Sequence, residues 1–527
     1  MLYALKKWFP IVLLHCFSLA KPLAKPAPPN IVIILVDDMG YSDIGCYGGE
    51  IQTPNLDKLA ANGLRFTQFY NSGRCCPTRA SLLTGLHPHQ AGIGHMTNTP
   101  AKAKSHDRGV SGYRGFLNRK CVTIAEVLKP KGYHTLMSGK WHVGYHGKHK
   151  WPLQRGFDRY YGIIAGASNF FRPEGRRGLT LGNEPVKPEG DYYITDAFTD
   201  YAIQFAEEVD ARDDRPFFLY LAYTAPHWPL HARKRDIDKY RGKYMDGGWD
   251  KVSRARYQRM LDMGLIKKEW GKTTRDARAW TELSDEKKTE LDLRMAIYAA
   301  QIDSVDQNIG RLIASLKKMG RFDNTLIFFL SDNGGCAEGG ELGGGAKEDL
   351  ESDRGFMLSY GRAWANASNT PFRRYKHHTH EGGIATPLIA HWPNGISAKG
   401  EFRRQPAFLP DLMATAVDAT GASYPNKFHG DKIPPMQGVS LLPAFANKSL
   451  GNRPLYWEHE RNRAIRIGDW KLVTEGDRDW ELYNLAGDRA EANNLAATHP
   501  KLVKSMANQW EAWARRSQVI PRNRNEN

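Results

Sequence analysis

Residues 71–85 read NSGRCCPTRASLLTG, with two adjacent thiols, Cys75 and Cys76, where a helix begins. A thiol in the first turn of a helix feels the positive end of the dipole, which lowers its pKa and makes it a candidate nucleophile. A different chemistry is carried by Asp37-Asp38 and by Asp332-Asn333, two pairs of hard oxygen donors that each follow an apolar run. One such pair is ordinary turn chemistry, because Asp and Asn favour turns. Two pairs at the ends of two buried strands point to a cation, since three carboxylates and an amide oxygen converging on one point repel one another without one. With no Cys or His cluster to supply soft ligands, the expected ion is Ca2+, with Mg2+ as the second choice. Two further segments add proton-carrying groups: Lys140 and His142 in GKWH, and His227 in TAPHWPLH. Lys140 and His142, two apart on an extended segment, point the same way.

These side chains need a frame. NIVIILVDD (30–38) is almost continuously apolar, the pattern of a strand buried on both faces. TPNLDKLAANG reads as a short helix, and TIAEVLKPKG as another, with Thr123 as N-cap and Glu126 completing a capping box. YHTLMSGKWH is a strand and polar turn, TDAFTDYAIQFAEEV an amphipathic helix, and PFFLYLAYTAPH a buried strand. A long helical region, the strand TLIFFLSDNGG and the strand IATPLIAHWP follow. This alternation implies an α/β fold: a large, mainly parallel sheet sandwiched by helices. In such a sheet ligands gather beyond the carboxyl ends of the strands, where the aspartates, Lys140, His142 and His227 lie. Residues about 232–290 are charged and aromatic and read as an insertion with helical pieces. From residue 446 to 527 the pattern changes to LYWEHERNRAIRIGDWKLV and WELYNL, then the helical PKLVKSMANQWEAWARR. That implies a smaller antiparallel sheet-plus-helix domain behind a catalytic domain of residues 27–445.

The bulk numbers suit this division. A chain of 527 residues, 41% hydrophobic and 25% charged, is globular and too long for one ordinary core. Lys and Arg number 74 against 57 Asp and Glu, a formal charge of +17. The basic residues are scattered rather than run together, which argues against a dedicated nucleic-acid arm; an acidic lipid, a sulfated or phosphorylated glycan, and a basic surface that serves only solubility all fit this charge. Lys6 and Lys7, the apolar stretch 8–20 and the small residues after it form a signal peptide over residues 1–20, so the protein is expected to be exported, periplasmic or secreted. Thirteen residues, most of them apolar, are too few for a membrane span. Of six cysteines, Cys16 leaves with the signal. Cys46, Cys75, Cys76, Cys121 and Cys336 remain, an odd number in an oxidising compartment, so at least one thiol has another use.

CCPTRASLLTG matches C-x-P-[ST]-R-x-x-x-L-[ST]-G with Cys75 as its first residue. On this signature the chain resembles the sulfatases, nearest their arylsulfatase-type branch within the alkaline phosphatase superfamily. Similar segments continue at SGKWHVG, APHWP, FLSDNGG, KHHTHEGGIATPLIAHWP and WELYNLAGDRAEANNLA, so the resemblance runs over nearly the whole mature chain. It implies an alkaline-phosphatase-like fold and a sulfuric ester hydrolase whose Cys75 is oxidised to formylglycine by a maturation enzyme. One hydroxyl of the hydrated aldehyde attacks sulfur, and the other then collapses to expel sulfate. The resemblance further implies that Asp37, Asp38, Asp332 and Asn333 bind the ion with the modified Cys75. Arg79 holds that residue, Lys140 and Lys376 neutralise the sulfuryl oxygens, His142 assists the collapse, and His227 protonates the leaving oxygen, together with Lys376. Cys76 falls at the family's variable position, as a small buried filler.

The substrate is less legible. His377, His378 and His380 cluster beside Lys376, while Arg74, Asn169 and His231 lie near other site segments. Arg74, Asn169, His231 and His380 are candidates to grip the group carrying the sulfate, and the histidine cluster reads equally as an exposed loop. Positive charge and export favour a sulfated carbohydrate over an aryl sulfate. Two rivals share the scaffold: a phosphomonoesterase or phosphodiesterase, which generally uses Ser or Thr and two metals, and a non-catalytic binder of sulfated glycans if Cys75 is not converted.

Overall fold

A computed structural model describes residues 27–104 and 106–519; the signal peptide expected over residues 1–20 lies outside them. The strands of the large sheet are β1 (Asn30–Val36), β2 (Leu64–Tyr70), β3 (His134–Lys140), β4 (Arg159–Ile163), β5 (Leu179–Leu181), β6 (Glu184–Val186), β7 (Phe217–Ala222), β8 (Thr325–Ser331), β9 (Ala385–His391), β10 (Glu401–Arg403) and β11 (Ala407–Phe408). They lie in the order β10-β2-β9-β8-β1-β7-β3-β4-β5-β6, with β11 also paired to β2. All seven residues of β1 are buried, as expected for a strand covered on both faces. Val32, Ile34 and Val36 face one apolar layer, shared with the helices Ile194–Asp210 and Asp285–Lys318. Ile31, Ile33 and Leu35 face the other, shared with the helices Cys75–Thr84 and Pro410–Thr420. Helix, sheet and helix therefore form three layers around two cores.

The sheet is mixed, and the mixture matters. The central strands are parallel: β1 runs with β7 and β8, and β3 with β7. Their register sets Leu35 and Gly139 beside Ala222, and Val36 beside Ser331. Asp37, Lys140, Tyr223 and Asp332 therefore leave the sheet at one level. Strand β9 is antiparallel to both β2 and β8. It enters the sheet from that same edge, so the loop before it, with Lys376, arrives where the parallel strands end. Gly382 and Gly383 make this possible. A Cβ on Gly382 would stand 2.1 Å from the Arg374 carbonyl oxygen, and one on Gly383 2.0 Å from that of His378. Any side chain there would push the Lys376 loop off the sheet.

The segment 232–290 packs into the large domain. Arg256 in the helix Gly248–Asp262 is fully buried and donates to Asp43 at 2.5 Å and Glu50 at 2.7 Å. Trp249 and Trp280 meet edge to face beside Trp364. The capping box at Thr123 and Glu126 forms as expected.

Four antiparallel strands, Leu455–His459, Asn462–Ile467, Trp470–Thr474 and Glu481–Asn484, form the C-terminal sheet, backed by the helix Pro500–Arg516. It reaches the large domain through buried charge. Lys471 Nζ donates to Glu381 Oε1 at 2.9 Å, while Arg489 Nε and the Tyr70 hydroxyl donate to Oε2 at 2.8 and 2.9 Å. The Glu381 amide donates to Glu491 at 2.7 Å, and Lys471 also pairs with Glu491 at 2.8 Å. Two more bonds grip functional loops: Trp457 Nε1 donates to the Asn71 carbonyl at 2.8 Å, and Asn462 Nδ2 to the His377 carbonyl at 2.9 Å.

Candidate active site

Cys75 is the first residue of a ten-residue helix that is buried throughout and ends at Gly85, which has φ 68°. No side chain caps its amino end, so the open backbone N–H groups and the dipole act on position 75 itself. Arg79, one turn on, points beneath the helix. Its Nε and Nη2 donate to Asp332 Oδ2 at 3.2 and 2.7 Å, and Nη1 donates to the Lys140 carbonyl at 3.0 Å. Lys140, the last residue of β3, pairs with Asp37. Lys376 Nζ donates to Asp38 Oδ2 at 2.8 Å and lies 3.4 Å from His227 Nε2. His227 Nδ1 donates to the Trp228 carbonyl at 2.6 Å, which turns Nε2 toward Lys376 and Asp38. Asn333 Nδ2 donates to Asp38 Oδ1 at 2.7 Å.

The sequence-derived catalytic and ion-binding residues thus gather into one buried cluster. Its charge differs from expectation in one respect. The three carboxylates do not stand alone, because Arg79, Lys140 and Lys376 match them one for one. The donor set still fits a hard divalent cation. Asp37 Oδ1 and Asn333 Oδ1 are buried oxygens without a hydrogen-bond partner, which is costly unless something positive meets them. With all three carboxylates ionised, a divalent ion would leave the cluster at about +2, a charge suited to an anionic ligand.

Local fields follow from this packing. Burial and the facing Asp332 carboxylate push Asp37 up to about 8. Asp38, despite burial, is held below the usual carboxylate range by His227 and Lys376. The Cys75 thiol is held well below its ordinary value by the Cys76 thiol, Lys140 and His142, against the opposing effect of burial. Burial drives the Cys76 thiol well up and the His142 imidazole down to about 3, so His142 is neutral at ordinary pH. Asp38 and His142 have φ of 68° and 54°, left-handed values for non-glycine residues. Each costs about 1–3 kcal/mol, and each turns the chain sharply after its strand to aim a side chain inward.

The substrate-side candidates divide. Arg74 lines the cleft above Cys75 together with Tyr145, Arg177, Trp228 and Glu338. Its Nη1 donates to Glu338 at 3.0 Å. Asn169, His231 and His380 are not among the cleft-lining residues. Asn169 Oδ1 accepts from the Phe171 and Arg172 amides in a local turn. His231 Nε2 bonds the Arg354 carbonyl at 2.7 Å, and His380 Nε2 meets Glu481 of the C-terminal sheet at 3.0 Å. Proximity in sequence to site segments did not place these side chains in the cleft lining; each is held by a packing partner of its own. His377 is only partly buried and meets Glu338 and Glu460 at 3.1 Å each. Cys76 is fully buried, as expected, and its Sγ lies 3.2 Å from His142 Nε2.

Sequence reasoning missed Glu338 and Trp228. Trp228 Nε1 donates to Glu338 Oε2 at 2.5 Å, and Lys376 stands 3.5 Å from the same oxygen. Against burial, Lys376, Arg74 and His227 hold the Glu338 carboxyl well below its usual range. The available signal was position: Glu338 follows the strand-end DNGG by three residues. All five cysteines of the described residues are buried thiols without a disulfide.

A sulfatase family model matches residues 29–422. An uncharacterised sulfatase of Schizosaccharomyces pombe is 33% identical, over 94% of this chain and 95% of its own. An arylsulfatase of Klebsiella aerogenes is 35% identical, over 79% of this chain and 92% of its own. Among solved structures, Ps i-CgsB in complex with k-i-k-neocarrahexaose superposes with a TM-score of 0.69 at 27% identity, covering 93% of this chain and 94% of that one. In fold, signature and clustered site residues alike, the chain belongs to the sulfatase family.

Proposed function

We propose that this sulfatase removes sulfate from a sulfated carbohydrate after export, using Cys75 matured to formylglycine and a bound Ca2+. The observation that carries the reading is the convergence of the uncapped Cys75 helix on Asp37, Asp38, Asp332 and Asn333, with two buried oxygens unpartnered. Those four residues, with the oxygen at position 75, would hold the ion, which supplies positive charge to a sulfate oxygen and favours an ionised nucleophile. Formylglycine, once hydrated, supplies one hydroxyl for attack on sulfur and a second for release.

The remaining roles belong to side chains in place. Arg79 fixes Asp332 and carries charge under position 75. Lys140 and Lys376 place ammonium groups where the sulfuryl oxygens gain charge. Neutral His142 is an acceptor for the proton whose loss lets sulfate leave. His227 and Lys376, 3.4 Å apart, form the proton source for the leaving oxygen. Because the Trp228 carbonyl fixes the proton on Nδ1, Nε2 is the atom that exchanges with Lys376. A carbohydrate is favoured by the polar, cationic rim of Arg74, Arg177 and Tyr145, with Trp228 available for sugar stacking. The hexaose bound by Ps i-CgsB, a protein of the same fold, supports the same class. Among the described residues, no helix is long and apolar enough to cross a membrane.

The test has two parts. The peptide containing Cys75 from active protein is expected to weigh about 18 Da less than the unmodified peptide, because hydrogen sulfide is lost and one oxygen gained. Sulfate release is then measured on sulfated oligosaccharides and on an aryl sulfate. An unmodified thiol in fully active enzyme ends the formylglycine reading, and turnover confined to the aryl ester ends the carbohydrate one.

A further inference from the structure

A second group of metal-type ligands stands beside the cleft-lining loop that follows His95, apart from the acidic cluster. His459 ends one strand of the C-terminal sheet, Glu460 begins the two-residue turn after it, and His95 comes from a loop of the large domain. Donor atoms of the three lie within 4.8 Å of one another. His95 Nδ1 is 3.5 Å from Glu460 Oε1, and His459 Nε2 is 3.7 Å from the same oxygen. These separations exceed ordinary hydrogen bonds. They match the ligand-to-ligand edge of a tetrahedron with bonds of 2.0–2.1 Å, which is about 3.4 Å.

His459 supplies an independent observation. It is completely buried, and neither of its ring nitrogens has a hydrogen-bond partner. An imidazole always carries at least one N–H, so leaving both edges unmet in the interior is costly. Burial also keeps the ring neutral, the form that ligates. The other Glu460 oxygen meets His377 Nδ1 at 3.1 Å, an outer contact of the kind that orients a ligating carboxylate. Glu460 and Arg461 have φ of 49° and 71°, in a turn that favours Asn-Gly. A glutamate accepts that backbone cost where its carboxylate is needed.

We propose that His95, His459 and Glu460 form a second metal site, which takes a borderline divalent cation of the zinc type. Two imidazoles and one carboxylate suit such an ion, whereas Ca2+ requires six to eight oxygens. The ion would fasten the hairpin turn of the C-terminal sheet to the His95 loop, and His377, the outer contact, also meets Arg74 of the cleft lining.

The experiment uses the full chain, freed of metal by chelation, reloaded with Ca2+ and equilibrated with Zn2+ alone. Metal analysis is expected to give about one tightly held zinc per chain, and Co2+ in its place an intense visible band of tetrahedral type. Asp332→Ala should keep this zinc, while Glu460→Gln and His459→Ala should weaken it by about 100-fold or more. Failure of the wild-type chain to retain zinc overturns the proposal. So does unchanged retention in Glu460→Gln, a partly exposed position that decides the matter even if His459→Ala does not fold.

Discussion

Two buried clusters of charge face the same loop from opposite ends. Around Glu381 each carboxylate oxygen is met by a donor from elsewhere in the chain, Lys471 on one and Arg489 with Tyr70 on the other. Beneath the Cys75 helix, Asp37 and Asn333 each keep an oxygen unmet, and Asp38 and His142 sit in left-handed backbone. Both clusters are built of buried side chains, although Cys75, His227 and Lys376 of the second also line the cleft. The first has both Glu381 oxygens met by the chain, although Arg489 Nη2 within it has no hydrogen-bond partner, and it holds two sheets together. The second keeps oxygens unmet where, on the function proposed above, a cation and a sulfate would complete it. Buried charge is costly in either case, and what distinguishes a structural centre from a reactive one is whether the chain completes it.

That contrast can be broken first at Cys75. Cys75→Ala should lower sulfate release by about 10^4-fold or more while thermal unfolding stays within a few degrees; retained turnover would falsify the nucleophile assignment. Chelation should silence the wild-type enzyme, and Ca2+ should restore it, in assays where Asp332→Ala stays inactive at all Ca2+ concentrations. Lys376→Ala should cost about 10^2–10^3-fold in kcat, the scale of losing one transition-state charge partner. If its main effect is on stability, Lys376 belongs with the Glu381 cluster instead.

The Glu381 cluster should respond in the opposite sense. Lys471→Met, which strands two buried glutamates, should destabilise the fold by about 3–5 kcal/mol in denaturant titrations, with kcat per folded molecule changed far less. Its pH dependence follows from Glu381. Against burial, Lys471 and Arg489 lower this carboxyl from 4.5 to about 2. A depressed native pKa gives stability that is complete above 4.5 and is lost as pH falls toward 2. Unfolding midpoints of Glu381→Gln should therefore vary less with pH over that window than those of wild type. The smallest effect is expected for Asn462→Ala, which removes the bond to the His377 carbonyl: about 1 kcal/mol, with a few-fold loss of activity from a looser Lys376 loop.

Sequence alone determined the signature around Cys75, the two oxygen-donor pairs, and the apolar strands that end in them. Each is a local pattern, and local patterns of burial and capping survive in one dimension. The resemblance singled out Lys376 through its spacing to Glu381, and the fold brings it 2.8 Å from Asp38, in a loop whose backbone presses against Gly382 and Gly383 where side chains would be. Only the tertiary structure decided that three cations balance the three aspartates, because pairings between residues about 100 to 340 positions apart leave no periodic trace. It alone gave Asn169, His231 and His380 partners other than the cleft residues and brought Glu338 and Trp228 into the cleft lining. It alone joined His95 to His459 and Glu460 across two sheets. A side chain's type is written in the chain, but the direction it faces is set by whichever partners the packed strands bring within about 3 Å of it.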